Sequence, residues 1–476
     1  MSFFIKGKSK QTGKPKLLGG KRKSTEPSKF AGKKQRFRGA DEEIDSDSDG
    51  GEVNDHRHDD KGYSSSEEEQ ETAQEKKLRL AKQYLSQIEA EERDSRVDEE
   101  VNKDLISQRL KHDMLELTGK LQKQVAADLE VPSTESLILF RGHQLSVTCV
   151  VISADSQWLY SASKDCSIIK WSLAERRKVK MIHGGRKGTE KKHVGHTAHI
   201  LAMALSSDGK YLATGDANKL IHIWDAGPME FLHTFKGHRG SVTGLTFRKD
   251  THDLYSCSQD RSVKIWNVDE RAYVETLFGH QDKITAIDSL SRERAVTAGG
   301  RDATVRVWKI LEESQLVFNA HSLVSVDCIA LINETNFITG ADDNSLSLWG
   351  AMKKKPLCTV KGAHGNRAPD MNGNSPATSP GDNWITSVAA LHNTDLLASA
   401  GSKDGSIRLW RCVNDCHKLE ALCAVPVTGF VNSLQFSLDG RFLVAGVGQE
   451  HRLGRWWSNK EAKNSIVVIQ LKYTVR

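Results

Sequence analysis

From Glu135 onward the apolar residues fall in short, β-rich runs punctuated by Gly, Asp, Asn and Ser, the pattern of brief strands joined by tight turns. Upstream the period changes. Leu78, Ala81, Leu85 and Ile88 recur at helical spacing, and Val97, Val101, Leu110, Leu117, Leu121 and Val125 continue a looser apolar stripe. No proline interrupts the chain between Pro27 and Pro132, so residues 67–131 predict a charged helical segment. Such helices need a surface, either the protein's own globular part or a partner in a larger complex. Residues 1–66 show neither period.

Charge explains that first stretch. Met1 to Ala40 holds 13 Lys and Arg against the single acid Glu26, whereas Asp41 to Glu71 holds 14 Asp and Glu against Arg57 and Lys61. The formal net charge of +6 over 476 residues conceals these opposed blocks. Neither block can bury enough apolar surface to offset the entropy of ordering, so a disordered basic-then-acidic tail is expected over 1–66. Lys21, Arg22 and Lys23, with Lys33 and Lys34 beyond a polar spacer, have the form of a bipartite signal read by a nuclear import receptor; a basic arm that binds RNA is the alternative. Ser46, Ser48 and Ser66 precede acidic residues, as acid-directed phosphorylation requires. No run approaches a membrane span and no apolar segment follows the basic N-terminus, so a soluble, unsecreted protein without a membrane partner is expected. Eight scattered cysteines fit a reducing compartment. Cys412, Cys416 and His417 make a C-x3-C-H cluster, but without a second ligand pair it reads as a strand-edge turn, not a zinc site, and no metal or cofactor is expected.

The strand region repeats. "SASKDCSIIKW", "SCSQDRSVKIW", "TAGGRDATVRVW", "TGADDNSLSLW" and "SAGSKDGSIRLW" each place an Asp six residues before a Trp: Asp165 and Trp171, Asp260 and Trp266, Asp302 and Trp308, Asp343 and Trp349, Asp404 and Trp410. Gly-His or Ala-His pairs stand upstream, at His143, His196, His238, His280, His321 and His364. Over residues 132–476 this resembles the WD-repeat family, in which each unit builds one four-stranded blade of a β-propeller. The resemblance implies a structural set of His, Ser or Thr, Asp and Trp in each blade, namely His143, Ser161, Asp165 and Trp171 in the first. The second repeat departs from it, with Asn218 in the Asp position, and a weaker network is expected there.

The last unit is irregular. "FVNSLQFS" and "RFLVAGVG" supply two strands and "NSIVVIQL" a third, leaving Gly448 to Lys463 as an enlarged loop and no fourth strand. "ESLILFRGH" is the available donor, so the fold class expected is all-β, a seven-bladed WD-repeat propeller closed by an N-terminal strand at 135–141. Blade-to-blade connections and second-to-third-strand loops emerge on one face in that family. The 448–463 loop and the insertions at 184–196 and 362–383 should then share it.

That loop reads "GQEHRLGRWWSNKEAK". Arg452, Arg455, Arg186, Lys187, Lys191 and Lys192 would make the face positive, and Trp456 and Trp457 would offer stacking surfaces, together the profile of an RNA-binding site. Alternatively, the tryptophans fold back as a cap on the blade. Replacing Arg452 and Arg455 is expected to weaken RNA binding and leave the fold untouched. The tail, helices, propeller and "GQEHRLGRWW" together resemble the WD-repeat component of the U-three small nucleolar ribonucleoprotein. That resemblance implies a non-catalytic nucleolar protein joining a box C/D-type small nucleolar RNA beside a kink-turn-binding core protein. It also implies service in the pre-ribosomal complex for early small-subunit rRNA processing. A nuclear adaptor presenting a peptide or histone tail to an enzyme is the competing class, which a positive face disfavours. No nucleotide-binding loop or hydrolase motif is present to make an enzyme.

Overall fold

The structure is a computed structural model that describes residues 78–79, 82–84, 86, 110, 123–132, 137–186, 188, 193–320, 324–365, 383–414, 416–455 and 458–474. Contacts divide the chain into two units, Met1–Arg79 and Leu80–Arg476. In the first, only Leu78 and Arg79 are described, and both are helical. Lys82, Gln83, Tyr84, Ser86 and Leu110 of the second are helical too. The import-signal lysines and Arg22, the three candidate phosphoserines and the remainder of 67–122 lie outside the described residues. Among the described residues no helix is long and apolar enough to cross a membrane.

Seven antiparallel four-stranded sheets make the propeller. In the first blade the strands Val147–Ile152, Trp158–Ser163, Ile168–Ser172 and Arg177–Ile182 follow one another from inside to outside. The innermost is buried along its whole length while the outermost is largely exposed, which is why only the former is continuously apolar. Apolar cores lie between neighbouring blades, as where Val147, Ile169 and Trp171 of the first meet Val444, Ile466 and Val468 of the seventh.

Polar bonds brace each blade from within. His143 Nε2 and Trp171 Nε1 both reach Ser161 Oγ at 2.8 Å, with Asp165 3.5 Å from His143 Nδ1. The third, fourth and sixth blades repeat the set: His238 with Ser256, Asp260 and Trp266; His280 with Thr297, Asp302 and Trp308; His364 with Ser399, Asp404 and Trp410. In the fifth, Trp349 Nε1 donates to Thr339 at 2.9 Å and Asp343 accepts from the Ser345 N–H, while His321 is outside the described residues. The second blade corrects the expectation of a weakened network. Asn218 is exposed, and fully buried Asp216, two residues earlier, meets His196 Nδ1 at 3.1 Å, with Thr214 taking His196 Nε2 and Trp224. A carboxylate displaced along the strand has kept the charge-assisted bond that an amide would have lost.

The ring closes as the missing strand demands. Leu137–Phe140 pairs antiparallel with Ser465–Gln470, Leu137 opposite Ile469 and Phe140 opposite Ile466, completing the blade of Phe430–Phe436 and Phe442–Gly448. Phe140 then packs edge-on to Trp171, 5.4 Å between ring centres.

The helical expectation fails at the end of its range. Residues 123–130 form no α-helix; they run as a strap beneath blades six and seven, with one 3-10 turn at Ala126–Asp128. Lys123 bonds through both main-chain groups to Asn393 and Asp395, Glu130 N–H donates to Lys472 O, and Thr474 N–H donates to Asp128 O. Asp395 Oδ1 accepts the N–H groups of Val125 and Ala126 at 2.7 and 3.0 Å. Tertiary partners thus satisfy backbone groups that a helix would have paired internally.

Candidate nucleic-acid interface

Each inner strand begins opposite the end of the second strand, Val147 against Ser163 and Phe430 against Gly448. Blade-to-blade connections and second-to-third-strand loops therefore open at one end of the propeller, and the strap lies at the other. The 448–463 loop belongs to the connection end. Its two legs are laced together: Gln449 N–H donates to Asn464 Oδ1, Gln449 Nε2 to Ala462 O, and Asn459 N–H to Gln449 O, all at 2.8–3.0 Å.

The polar residues that follow turn inward. Glu450 receives Lys164 Nζ of blade one at 3.3 Å and Arg455 Nε at 2.5 Å. His451 is buried with its ring 5.7 Å from Trp384, edge to face, and burial, helped by Arg452, Lys164 and Lys283, pushes its pKa down to about 3. Arg452 N–H donates to Asn432, and its guanidinium enters the mouth of the central channel, a cavity of about 310 Å³. There Nη2 donates to Thr285 O at 2.9 Å, and Nη1 lies 3.3 Å from Thr243 O and 3.5 Å from Leu201 O. Three inner strands, of blades two, three and four, share one cation from blade seven.

Arg452 is accordingly not placed as a free phosphate ligand, and its role in holding the fold differs from the sequence-based expectation. The pattern "EHR" carries no sign of the channel, because only ring closure brings residue 452 opposite residue 285. Arg455 is exposed on the connection end with Glu450 as its partner, and Arg186 is exposed in the connection between blades one and two. Lys187, Lys191, Lys192, Trp456 and Trp457 lie outside the described residues.

Other cations complete the surface. The turn between second and third strands contributes exposed Lys219 in blade two, Arg261 in blade three, Arg301 in blade four and Lys403 in blade six. The connections add exposed Arg239 and half-buried Lys283, and the blade-seven loop adds Lys460 and Lys463. Neighbouring acids are engaged by the main chain: Asp260 accepts from the Arg239 and Ser262 N–H groups, and Asp282 from that of Arg301. Blade five breaks the arc with Asp342 and Asp343. The signal was present in the sequence, one basic residue beside the repeat's Asp position, but it is diluted across units some forty residues apart.

Among the described residues, the one trio placed to hold a metal is His196, Asp216 and His222, buried inside blade two. His196 gives its nitrogens to Asp216 and Thr214, and His222 Nδ1 bonds Thr234 at 2.7 Å, so these groups brace the blade. Burial, then His196 and Lys236, drives His222 down to about 3. Cys412 and Cys416 are buried in the apolar core between blades five and six, and His417 Nδ1 is 3.0 Å from Asn414 O.

The fold and its repeated brace define a WD-repeat propeller protein, and the family model for the WD domain, G-beta repeat matches residues 134–172, 188–225, 229–267, 271–309, 312–350 and 373–411. The chain is 56% identical over 403 residues to U3 small nucleolar RNA-interacting protein 2 of Homo sapiens, covering 85% of this chain and 83% of that protein. It is 27% identical over 517 residues to Ribosomal RNA-processing protein 9 of Saccharomyces cerevisiae, covering 85% and 90%. A solved structure of U3-55K superposes with a TM-score of 0.67 at 56% identity, over 71% of this chain and all of that one. The chain belongs to the family of U3 small nucleolar RNA-interacting protein 2.

Proposed function

We propose that this protein is a non-catalytic component of a nucleolar small nucleolar ribonucleoprotein serving early small-subunit pre-rRNA processing. Its propeller presents the connection end to the RNA. The observation that carries this reading is the arc of exposed cations across blades two, three, four, six and seven, within which Asp260 and Asp282 already accept main-chain N–H groups. Phosphates neutralised by such an array release counterions, which supplies affinity without sequence preference. Support for the RNA class comes from relatives whose names specify U3 small nucleolar RNA interaction and ribosomal RNA processing.

Recognition then requires a composite surface: a box C/D-type RNA together with its kink-turn-binding core protein. Trp456 and Trp457 would add base stacking at the blade-seven loop. The basic arm serves the import receptor, and phosphorylation of Ser46, Ser48 and Ser66 deepens the acidic block. Crosslinking the tagged full-length protein in cells and sequencing the attached RNA tests the reading. Enrichment of a box C/D small nucleolar RNA is expected; RNA no higher than background overturns it.

A further inference from the structure

Phe278 is the most exposed aromatic side chain among the described residues, at 73%. It ends the outer strand Ala272–Phe278 of blade three, immediately before the connection into blade four, and so stands on the connection end. Its strand partner is Ser262, which places it beside Arg261. Arg239 is tied to the same turn through its N–H on Asp260 Oδ2 at 2.7 Å. Neither Arg239 nor Arg261 has an ion-pair partner among the described residues, and Asp260 between them is occupied by His238, Arg239 and Ser262.

The main chain next to the ring is held firmly. A Cβ placed on Gly279 would lie 2.5 Å from Arg306 Nη1 and 3.1 Å from Trp308 Cη2, so this connection is pressed against blade four. Leu277 is buried and anchors the other side. An exposed ring on a fixed stalk loses little freedom on stacking, and the basic residues Arg239 and Arg261 stand at the same end of the blade.

We infer that Phe278 is a stacking platform for one unpaired RNA base, with Arg239 and Arg261 holding the flanking phosphates. This inference rests on the functional reading above and extends it to blade three, remote in sequence from the tryptophans of blade seven. A base offers its π-face whatever its identity, so the platform fixes the path of a single strand without selecting its sequence. Flanking phosphates keep the base within reach of the ring.

The test uses the full-length protein and transcribed U3 small nucleolar RNA, alone and with the kink-turn-binding core protein. Phe278→Ala and Phe278→Leu should each weaken binding about ten-fold, the size of one lost stack, while Phe278→Trp binds as wild type. All three should melt with the wild type. RNA carrying 4-thiouridine should photocrosslink to the peptide containing Phe278. If Phe278→Leu binds normally and Phe278→Ala does not, the contact is merely apolar and the platform is refuted. Unchanged binding by Phe278→Ala to an RNA that the wild type holds also sinks the platform, and leaves the wider reading standing. Failure of the wild type itself to bind the RNA in either setting removes both.

Discussion

Arg452 Nη2 donates to the Thr285 carbonyl at 2.9 Å, joining the loop of blade seven to the inner strand of blade four across the channel mouth. Charge-assisted bonds to buried carbonyls contribute roughly 1.5–3 kcal/mol each, and removing the donor leaves several acceptors without a partner. Arg452→Ala should therefore destabilise the propeller by about 2–4 kcal/mol, seen as a lower denaturant midpoint. Arg455→Ala loses only an exposed pair with Glu450 and should shift stability by less than about 1 kcal/mol. Equal stability of the two variants would contradict the channel assignment.

The contrast between these arginines shows what the sequence could yield. Blade number and the His–Asp–Trp brace were legible because each rests on a short local pattern repeated many times, and the closing strand because the last unit lacks its fourth strand. Arg452 was not, since its partners at residues 201, 243 and 285 are set by ring closure alone. Asp216 was missed for a related reason: a buried acid two residues off the repeat position looks like a turn residue until His196 is seen against it. The strap was misread because Val125 continues an apolar stripe, while the acceptor for its N–H, Asp395, lies 270 residues away.

Closure and strap make separable contributions. A chain starting at Lys123 keeps both the strap and the closing strand and serves as the reference. A start at Val131 removes the main-chain bonds to Asn393, Asp395 and Lys472 and should melt a few degrees lower. A start at Gly142 also removes Leu137–Phe140, uncovers the edge of Ser465–Gln470 and exposes Trp171, and should melt far earlier or aggregate. Thermal scans of the three chains check the order; identical curves for the last two would refute the strand's role.

Two histidines should give stability opposite pH dependences. Burial lowers His252, but hydrogen bonds to Asp269 and Asp208, at 2.6 and 2.9 Å, and their charges more than offset it, so its pKa is raised. Its contribution is full below the unfolded value of about 6.5 and is lost as pH rises through the folded value. His451, held down to about 3 chiefly by burial, contributes fully above about 6.5, and that contribution falls as pH drops from there toward 3. Denaturant midpoints between pH 5 and 8 for His252→Asn and His451→Asn should each lose the matching slope. A wild-type slope in either variant would count against its assignment.

Import should depend on the basic arm alone. Replacing Lys21, Arg22, Lys23, Lys33 and Lys34 with alanine removes both clusters and should leave a fluorescent fusion cytoplasmic, with RNA affinity in vitro nearly unchanged at physiological salt. Nuclear accumulation of that variant would place the signal elsewhere.

Electrostatic and stacking contacts should separate by salt. Lys219, Arg301 and Lys460 are exposed at the proposed RNA end, in three different blades. Each replacement by alanine should leave melting unchanged and weaken RNA binding, and each lost phosphate contact should reduce the slope of log K against log salt by about one unit. Replacing Trp456 or Trp457 should instead lower affinity by roughly 1–3 kcal/mol at every salt concentration, if that ring stacks on a base. A tryptophan that caps the blade would lower the melting temperature and spare binding. Titrations between 50 and 300 mM salt, with the RNA bare and carrying its core protein, distinguish the two behaviours. Cation variants that bind with the wild-type slope in both settings would show that the arc does not meet phosphate, and the connection end would lose its claim to the RNA.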